Sequence, residues 1–453
     1  MSTAAVRAGT GVQRRVKHRE LALMSLYWIA IGYLWSSLGA LILPHLVQQL
    51  VGRAHKGLAI SVLEGIGTVM AVIWQPMAGA ISDRWVSRYG RRRPFIVLGT
   101  VGDVIFLVGL ALSGSYWVLI IFYFLLQTAS NTAQGPYQGL LPDAVPQEQR
   151  GEASGYYGIA NLVGILAGTV GAGILLHNYG RGAAIASIAI LLTVSMVVTV
   201  TLVPDLAKPT KAQFTSPIHA FRETFTLDLA KHRDFAWLMA SRLLILMGVI
   251  GLQSFAFFYF SDVFFPNNRK ESILATSILL GLVVLVGLLV TWPAAKLSDR
   301  VGRKRIIFVG GLIGAFATLG LVFSHYQLLP PAAVAPLAHL LRVPGLAAQA
   351  VLVGLLIGIG FGAFLSVDWA FITDVIPPAE AGRFMGFSNI ATAGSGIIAR
   401  LLAGWMLDYF NAGPRLLGLP GGYPVIFALF GLWMIAGAIL ILKVREPARV
   451  LTR

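Results

Sequence analysis

Long apolar runs alternate with short polar segments along almost the whole chain. A helix that crosses hydrocarbon needs about 20 mostly apolar residues. Twelve segments approach or exceed that length: 21–47, 59–82, 94–113, 116–141, 153–176, 183–203, 235–260, 273–295, 306–324, 349–371, 384–407 and 423–442. A polar stretch at 204–234, PDLAKPTKAQFTSPIHAFRETFTLDLAKHRD, divides them six and six. The pattern predicts an all-α membrane protein of twelve transmembrane helices in two six-helix bundles. The boundaries are a basic tail at 1–20, a first bundle at 21–203, a central loop at 204–234, a second bundle at 235–442 and a tail at 443–453.

Composition agrees with that pattern. Charged residues make up 12% of the chain, against about 25% in soluble domains, and the mean hydropathy is +0.76. The first apolar run follows the basic RRVKHRE, is too long for a signal-peptide core and has no small-residue cleavage site, so it is expected to be retained as a span. There is no cysteine, which excludes disulfides, thiolate metal sites and cysteine nucleophiles.

The net charge of +16 would fit a nucleic-acid binder, but the basic residues sort by side. Of the 35 Lys and Arg, 26 fall on the side of the N-terminus and seven opposite, with Arg242 and Arg400 inside spans. That bias is the positive-inside rule. It predicts cytoplasmic termini, a multi-pass protein of the cytoplasmic membrane, and charge directed at topology and anionic lipid rather than nucleic acid.

The two halves repeat. Ser82-Asp83-Arg84 follows the second span and Ser298-Asp299-Arg300 the eighth, trailed by YGRRR and VGRKR. LLPDAVP at 140–146 and FITDVIP at 371–377 end the fourth and tenth. An offset of 231 superposes Asp143 on Asp374, Pro146 on Pro377, Gly151 on Gly382, Gly155 on Gly386 and Ile159 on Ile390. Parallel repeats of this kind place a solute site near the bilayer midplane, between the halves.

Twelve spans, a long central loop and Asp299-Arg300-Val301-Gly302-Arg303-Lys304 resemble the major facilitator superfamily. In the loop after the second span, WVSRY separates Asp83-Arg84 from Gly90-Arg91-Arg92-Arg93-Pro94. That form resembles the sucrose-transporter-like branch, which includes plant sucrose–proton symporters and related animal proteins. YLWSSLGALILPHLVQ, NTAQGP and ANLVGILAG agree with it. The likeness covers the first half well; the second half fits the superfamily without being diagnostic of the branch. It implies a secondary transporter working by alternating access on a sugar or glycoside, driven by protons or sodium ions, without other cofactor or metal, acting as a monomer.

The resemblance also implies a gate at the basic loop. Asp83, with Gly79, Arg84, Gly90, Arg91 and Arg92, would latch the halves when the cytoplasmic side closes. Asp143 and Arg150 belong to the same end of the first half, and Asp299, Arg300, Asp374 and Arg383 form the matching set in the second. Topology alone is the competing reading of these charges.

Polar residues inside spans are costly, roughly 2.5–3.5 kcal/mol for a central charge, so the exceptions are informative. Gln127, Asn131, Gln134 and Gln138 are spaced to share one helix face, and amides that donate and accept suit a hydroxyl-rich neutral solute. Helix-to-helix bonding is the alternative. Tyr157 with Asn161, and Asn389 with Arg400, form shorter stripes; Trp35, Tyr33 and Trp369 are aromatic candidates for stacking on a sugar ring. Asp103, Asp368 and Glu64 are the candidate proton carriers, because a buried carboxyl favours its neutral form. Asp368 could instead pair with Arg242 or Arg400, and Asp103 is open to either role. Symporters of the branch generally carry an aspartate four residues before the position of Asn131; this chain has Gln127. Coupling therefore falls to another carboxyl, or the protein is a uniporter. A drug or metabolite exporter and a non-transporting scaffold or receptor remain as other classes. No H-E-x-x-H or G-x-S-x-G motif supports an enzyme.

Overall fold

The computed structural model describes residues 15–85, 87–146, 149–203, 231–376 and 381–445. The helices are α1 (His18–Ser37), α2 (Leu43–Val51), α3 (Lys56–Arg84), α4 (Arg93–Ala111), α5 (Tyr116–Ala144), α6 (Arg150–Leu202), α7 (Arg233–Tyr259), α8 (Arg269–Val301), α9 (Arg303–Val322), α10 (Pro331–Leu341), α11 (Gly345–Val375), α12 (Ala381–Asn411) and α13 (Gly422–Ile441). Most of the central loop lies outside the described residues. Among the described residues, ten helical stretches are long and apolar enough to cross a membrane. α5 has the length, 29 residues, but its amides make it less apolar than those ten.

The fifth and sixth segments are the two arms of α6, separate helices parted at Gly180, whose backbone is non-helical at φ 82°, as the sequence pattern predicts. Between the ninth and tenth segments stands α10, a helix outside the twelve predicted spans. Its 11 residues, PAAVAPLAHLL, are apolar enough to be helical and too short to cross; Pro331 opens it, where a missing N–H has no consequence.

Two widened π-helical turns interrupt the long helices. Leu38–Ile42 joins α1 to α2, and Phe260–Phe264 extends α7. Pro44 follows the first and cannot donate to the carbonyl four residues back, so the helix widens there. The two turns hold corresponding places in the two halves.

The halves share one apolar core at the end remote from Asp83 and Asp143. Leu34, Leu41, Leu46 and Leu63 of the first half belong to the same buried cluster as Phe255, Phe258, Leu279 and Phe427 of the second. At the charged end the cores separate. Phe235, Phe364, Phe371 and Ile441 form one cluster within the second half, and Leu21, Met24, Val145, Ala153 and Val203 a small one within the first. The molecule is thus joined at its far end and divided at its charged end.

The repeated loops carry a shared backbone requirement. Gly90 and Gly302 both have positive φ, 95° and 97°, where a Cβ is strained. Each precedes the basic run that starts the next helix. Gly302→Ala is expected to destabilise the protein by about 1–3 kcal/mol, read as a lowered midpoint of thermal unfolding in detergent; an unchanged midpoint would refute the strain argument.

Candidate functional site

At the charged end, the basic loop is neutralised inside its own half. Arg92 Nη2 lies 2.6 Å from Asp83 Oδ1 and its Nε donates to Asp143 Oδ2 at 3.0 Å. Arg91 Nη2 donates to Asp143 Oδ1 at 2.7 Å, and Arg92 Nη1 to Ser82 Oγ at 3.0 Å. The second half repeats the scheme with Arg303 and Asp374 at 2.9 Å. The next basic residues reach the ends of the last helices: Arg93 donates to the carbonyl of Val203 at 2.7 Å, and Lys304 to those of Leu442 and Val444 at 2.8 and 3.0 Å. Cations at helix C-termini satisfy orphan carbonyls and oppose the negative dipole end.

Asp83 therefore bonds arginines of its own half in this conformation, and the described apolar clusters of the two halves are separate at that end. Gly79 faces Gly135 of α5 at ordinary contact distance. Asp299 and Arg300 are exposed and Arg84 is half-buried. The side chains of Arg150 and Arg383 lie outside the described residues.

Deeper in, the halves meet through charge. Glu64 of α3 pairs with Arg400 of α12, Oε2 to Nε at 2.5 Å. Ser254 of α7 accepts from Arg400 Nε at 3.0 Å and donates to Glu64 at 3.4 Å. Arg400 Nη1 reaches Thr68 Oγ1 at 3.3 Å, and Ser61 donates to the Arg400 carbonyl at 2.6 Å. Gly39, in the first widened turn, faces Glu64. Four helical segments converge on this junction, two from each half counting the turn with α1.

The amide stripe runs along α5. Gln127 Nε2 donates to Tyr123 Oη at 2.9 Å, and Asn131 Nδ2 to the Gln127 carbonyl at 2.7 Å. Gln134 bonds Ser130 at 3.2 Å. Gln127 also faces Gly67 of α3, one helical turn from Glu64. Gln127, Asn131 and Gln134 are buried, and Gln138 is exposed. The described bonds of the stripe stay within α5 rather than joining helices.

The other sequence candidates separate. Tyr157 stacks on Tyr137 with centroids 5.8 Å apart beside Trp28, and Asn161 lies against Gly32 of α1. Trp35 is partly buried against the shared core. Asp103 is fully buried with neither carboxyl oxygen hydrogen-bonded. Asp368 bonds Arg242, whose other nitrogens reach Thr392. Asn389 is exposed on α12. Among the described residues no cluster of three or more His, Asp or Glu could hold a metal ion.

The far-end closure was not read from the sequence. Lys56, wholly buried, pairs with Asp262 and lies 4.8 Å from the Phe258 ring. Tyr423 donates to the same carboxylate at 2.7 Å. Asp408 accepts from the backbone N–H groups of Gly57 and Leu58 at 2.9 and 2.7 Å, capping the N-terminus of α3 from the other half. α3 and α12 touch backbone to backbone: a Cβ on Gly404 would lie 2.2 Å from the Gly57 carbonyl. These charges sit at span ends, where composition reads them as loop residues.

The Major Facilitator Superfamily pattern matches residues 20–341, and the chain belongs to that superfamily. That superfamily is one of membrane transporters rather than enzymes, and the long apolar helices make the chain a multi-pass membrane protein. The sucrose transport protein SUC3 of Arabidopsis thaliana is 28% identical over 189 residues, 36% of this chain and 31% of that protein. SUC4 of the same organism is 30% identical over 34% of this chain and 33% of its own, so the chain's match spans about a third of these two relatives. SUT5 of Oryza sativa subsp. indica is 24% identical across 94% of this chain and 89% of its own. In fold, the chain is similar to a variant of the nucleoside transporter NupG, with TM-score 0.69 at 15% identity over 94% of this chain and 100% of that one. The D-xylose-proton symporter gives 0.65 at 18% identity over 94% and 97%.

Breaking a buried ion pair by removing one partner costs about 3–5 kcal/mol, because it strands the other charge. Asp262→Asn is therefore expected to lower thermal stability, and Lys56→Met in the same protein to restore most of it. A double variant no more stable than Asp262→Asn would refute the pairing.

Proposed function

We propose that the protein is a twelve-span, monomeric secondary transporter of the cytoplasmic membrane, with cytoplasmic termini, that moves a neutral sugar or glycoside by alternating access and couples it to protons. α5, α6 across its break at Gly180 and the nine other long stretches supply the twelve crossings. No nucleic acid is involved. The sugar reading draws on the α5 amides and on the likeness to sucrose transport proteins over most of the chain.

The observation that carries the coupling is the Glu64–Arg400 pair. A proton can bias alternating access only through a group whose surroundings differ between the two states. Asp103 and Asp368 each lie within one half, whereas the partner of Glu64 belongs to the other half. Protonating Glu64 removes its attraction for Arg400, so acid on the far side favours opening there. Gln127 then needs no charge: with Asn131, Gln134 and Gln138 of α5, and with Trp35, Tyr157, Asn161 and Asn389, it lines the solute path. The charged-end residues around Asp83, Asp143, Asp299 and Asp374 form the opposite gate. Asp103 is the second candidate for the proton, since its two oxygens have no described partner.

Uptake of labelled sucrose and maltose into proteoliposomes is the test. Accumulation is expected only with an inward proton gradient, and a protonophore should abolish it. Glu64→Gln should keep sugar exchange between the two sides but lose gradient-driven accumulation. Loss with Asp103→Asn and retention with Glu64→Gln would move the proton to Asp103, and uptake indifferent to the gradient would make the protein a uniporter. Asn131→Leu and Gln134→Leu should each weaken apparent affinity by about fivefold, the worth of one hydrogen bond near 1 kcal/mol; unchanged affinity would reassign the stripe to helix packing.

A further inference from the structure

The second half contains a polar cluster that the inter-half junction does not use. Arg242 of α7, Asp368 and Trp369 of α11, and Thr392 of α12 meet there. The guanidinium is fixed on three sides. Its Nη1 donates to Asp368 Oδ2, and its Nε and Nη2 donate to Thr392 Oγ1 at 3.3 and 3.0 Å. The Thr392 hydroxyl is itself anchored on the Ser388 carbonyl at 3.0 Å. The guanidinium carbon lies 5.6 Å from the centroid of the Trp369 ring.

The bonding is incomplete in a particular way. A guanidinium has five N–H donors, and the described contacts use three. Asp368 Oδ1 and Ser388 Oγ are buried and have no hydrogen-bond partner, although a buried polar atom without one is disfavoured. An ion pair that only held helices together would direct these groups at protein. Here oriented donors and acceptors are left over beside an indole that is 46% exposed. The carboxylate and guanidinium cancel in charge, so the cluster favours neither an anion nor a cation.

Its place in the fold is on the charged-end side of the junction, where the apolar cores of the halves are separate. Thr392, Gly396 and Arg400 follow one another at four-residue spacing on one face of α12. Arg400 reaches across to Glu64, so Thr392 stands eight residues, or about 12 Å, from the junction toward the charged end, where the cores of the halves separate. Asn389, exposed on α12, lies one turn further.

We propose that Arg242, Asp368 and Trp369 form the second-half binding element for the sugar. Asp368 Oδ1 accepts from a ring hydroxyl, a free guanidinium N–H donates to its neighbour, and the indole covers the C–H face of the ring. Adjacent hydroxyls each donate and accept, which matches a carboxylate beside a guanidinium. Asp368 thereby serves recognition rather than proton transfer. The inference rests on the sugar reading above.

Equilibrium binding of sucrose, maltose and their monodeoxy analogues to the purified full-length protein tests it, and the wild type is the first arm. If the wild type binds none of these sugars, the sugar reading falls, and this element with it. Given wild-type binding, Trp369→Ala is expected to weaken it at least tenfold and Trp369→Phe to retain most of it. Trp369 is exposed, so its loss leaves the buried ion pair in place. Asp368→Asn should bind the parent sugar more weakly and lose the discrimination against one deoxy analogue, with thermal unfolding confirming a folded protein. Wild-type affinity in Trp369→Ala would overturn the proposal while leaving the sugar reading intact. Unchanged discrimination in a folded Asp368→Asn would do the same.

Discussion

Hydrocarbon offers no hydrogen bonds, and that constraint governs where the described charged residues of the spans stand. A polar group in a span is stable when it finds its partner within the protein or in a water-filled space. Apart from Asp103, the described charges of the spans accordingly collect in a few places: a cluster at the charged end of each half, a far-end closure, the Glu64–Arg400 junction, and the Arg242–Asp368 pair. Between them the spans are apolar on nearly all faces, which is how a helix reads when both lipid and other helices surround it.

The clusters divide by what they join. Asp83, Asp143 and their arginines tie helices of one half, as Arg303 and Asp374 do in the other. Arg93 and Lys304 bind the last helix of each half to its third span. Such bonds make each half a rigid body. Lys56–Asp262, Asp408 on the first turn of α3, and Glu64–Arg400 cross between the halves. Arg53 on the Pro266 carbonyl and His177 on the Lys270 carbonyl cross there as well, so the charged groups divide into those that tie one half and those that join the two.

The fold class and the repeat were legible because they depend on periodicity and length, which sequence carries directly. The twin aspartates Asp143 and Asp374 and the twin glycines Gly90 and Gly302 were visible as matched positions. Partnership was not visible. Glu64 and Arg400 were each read as functional, but their contact across 336 positions of chain has no local signature. Lys56, Asp262 and Asp408 were missed because a charge at a span end is ordinary, and only the tertiary structure turns it inward. The break between the fifth and sixth segments was legible too: His177, Asn178 and Arg181 interrupt the apolar run, and Gly180 supplies the non-helical backbone there.

The far-end closure has an energetic consequence. Lys56 and Asp262 gave up hydration to meet, and the gain of their attraction roughly balances that loss, as for buried ion pairs generally. Parting them returns both to water together, and the N–H groups that Asp408 caps are likewise received by solvent. A seal of purely apolar side chains would have no such exchange on offer and would be harder to open. Closing with charge therefore brings the sealed and the parted arrangement nearer in free energy than an apolar seal would.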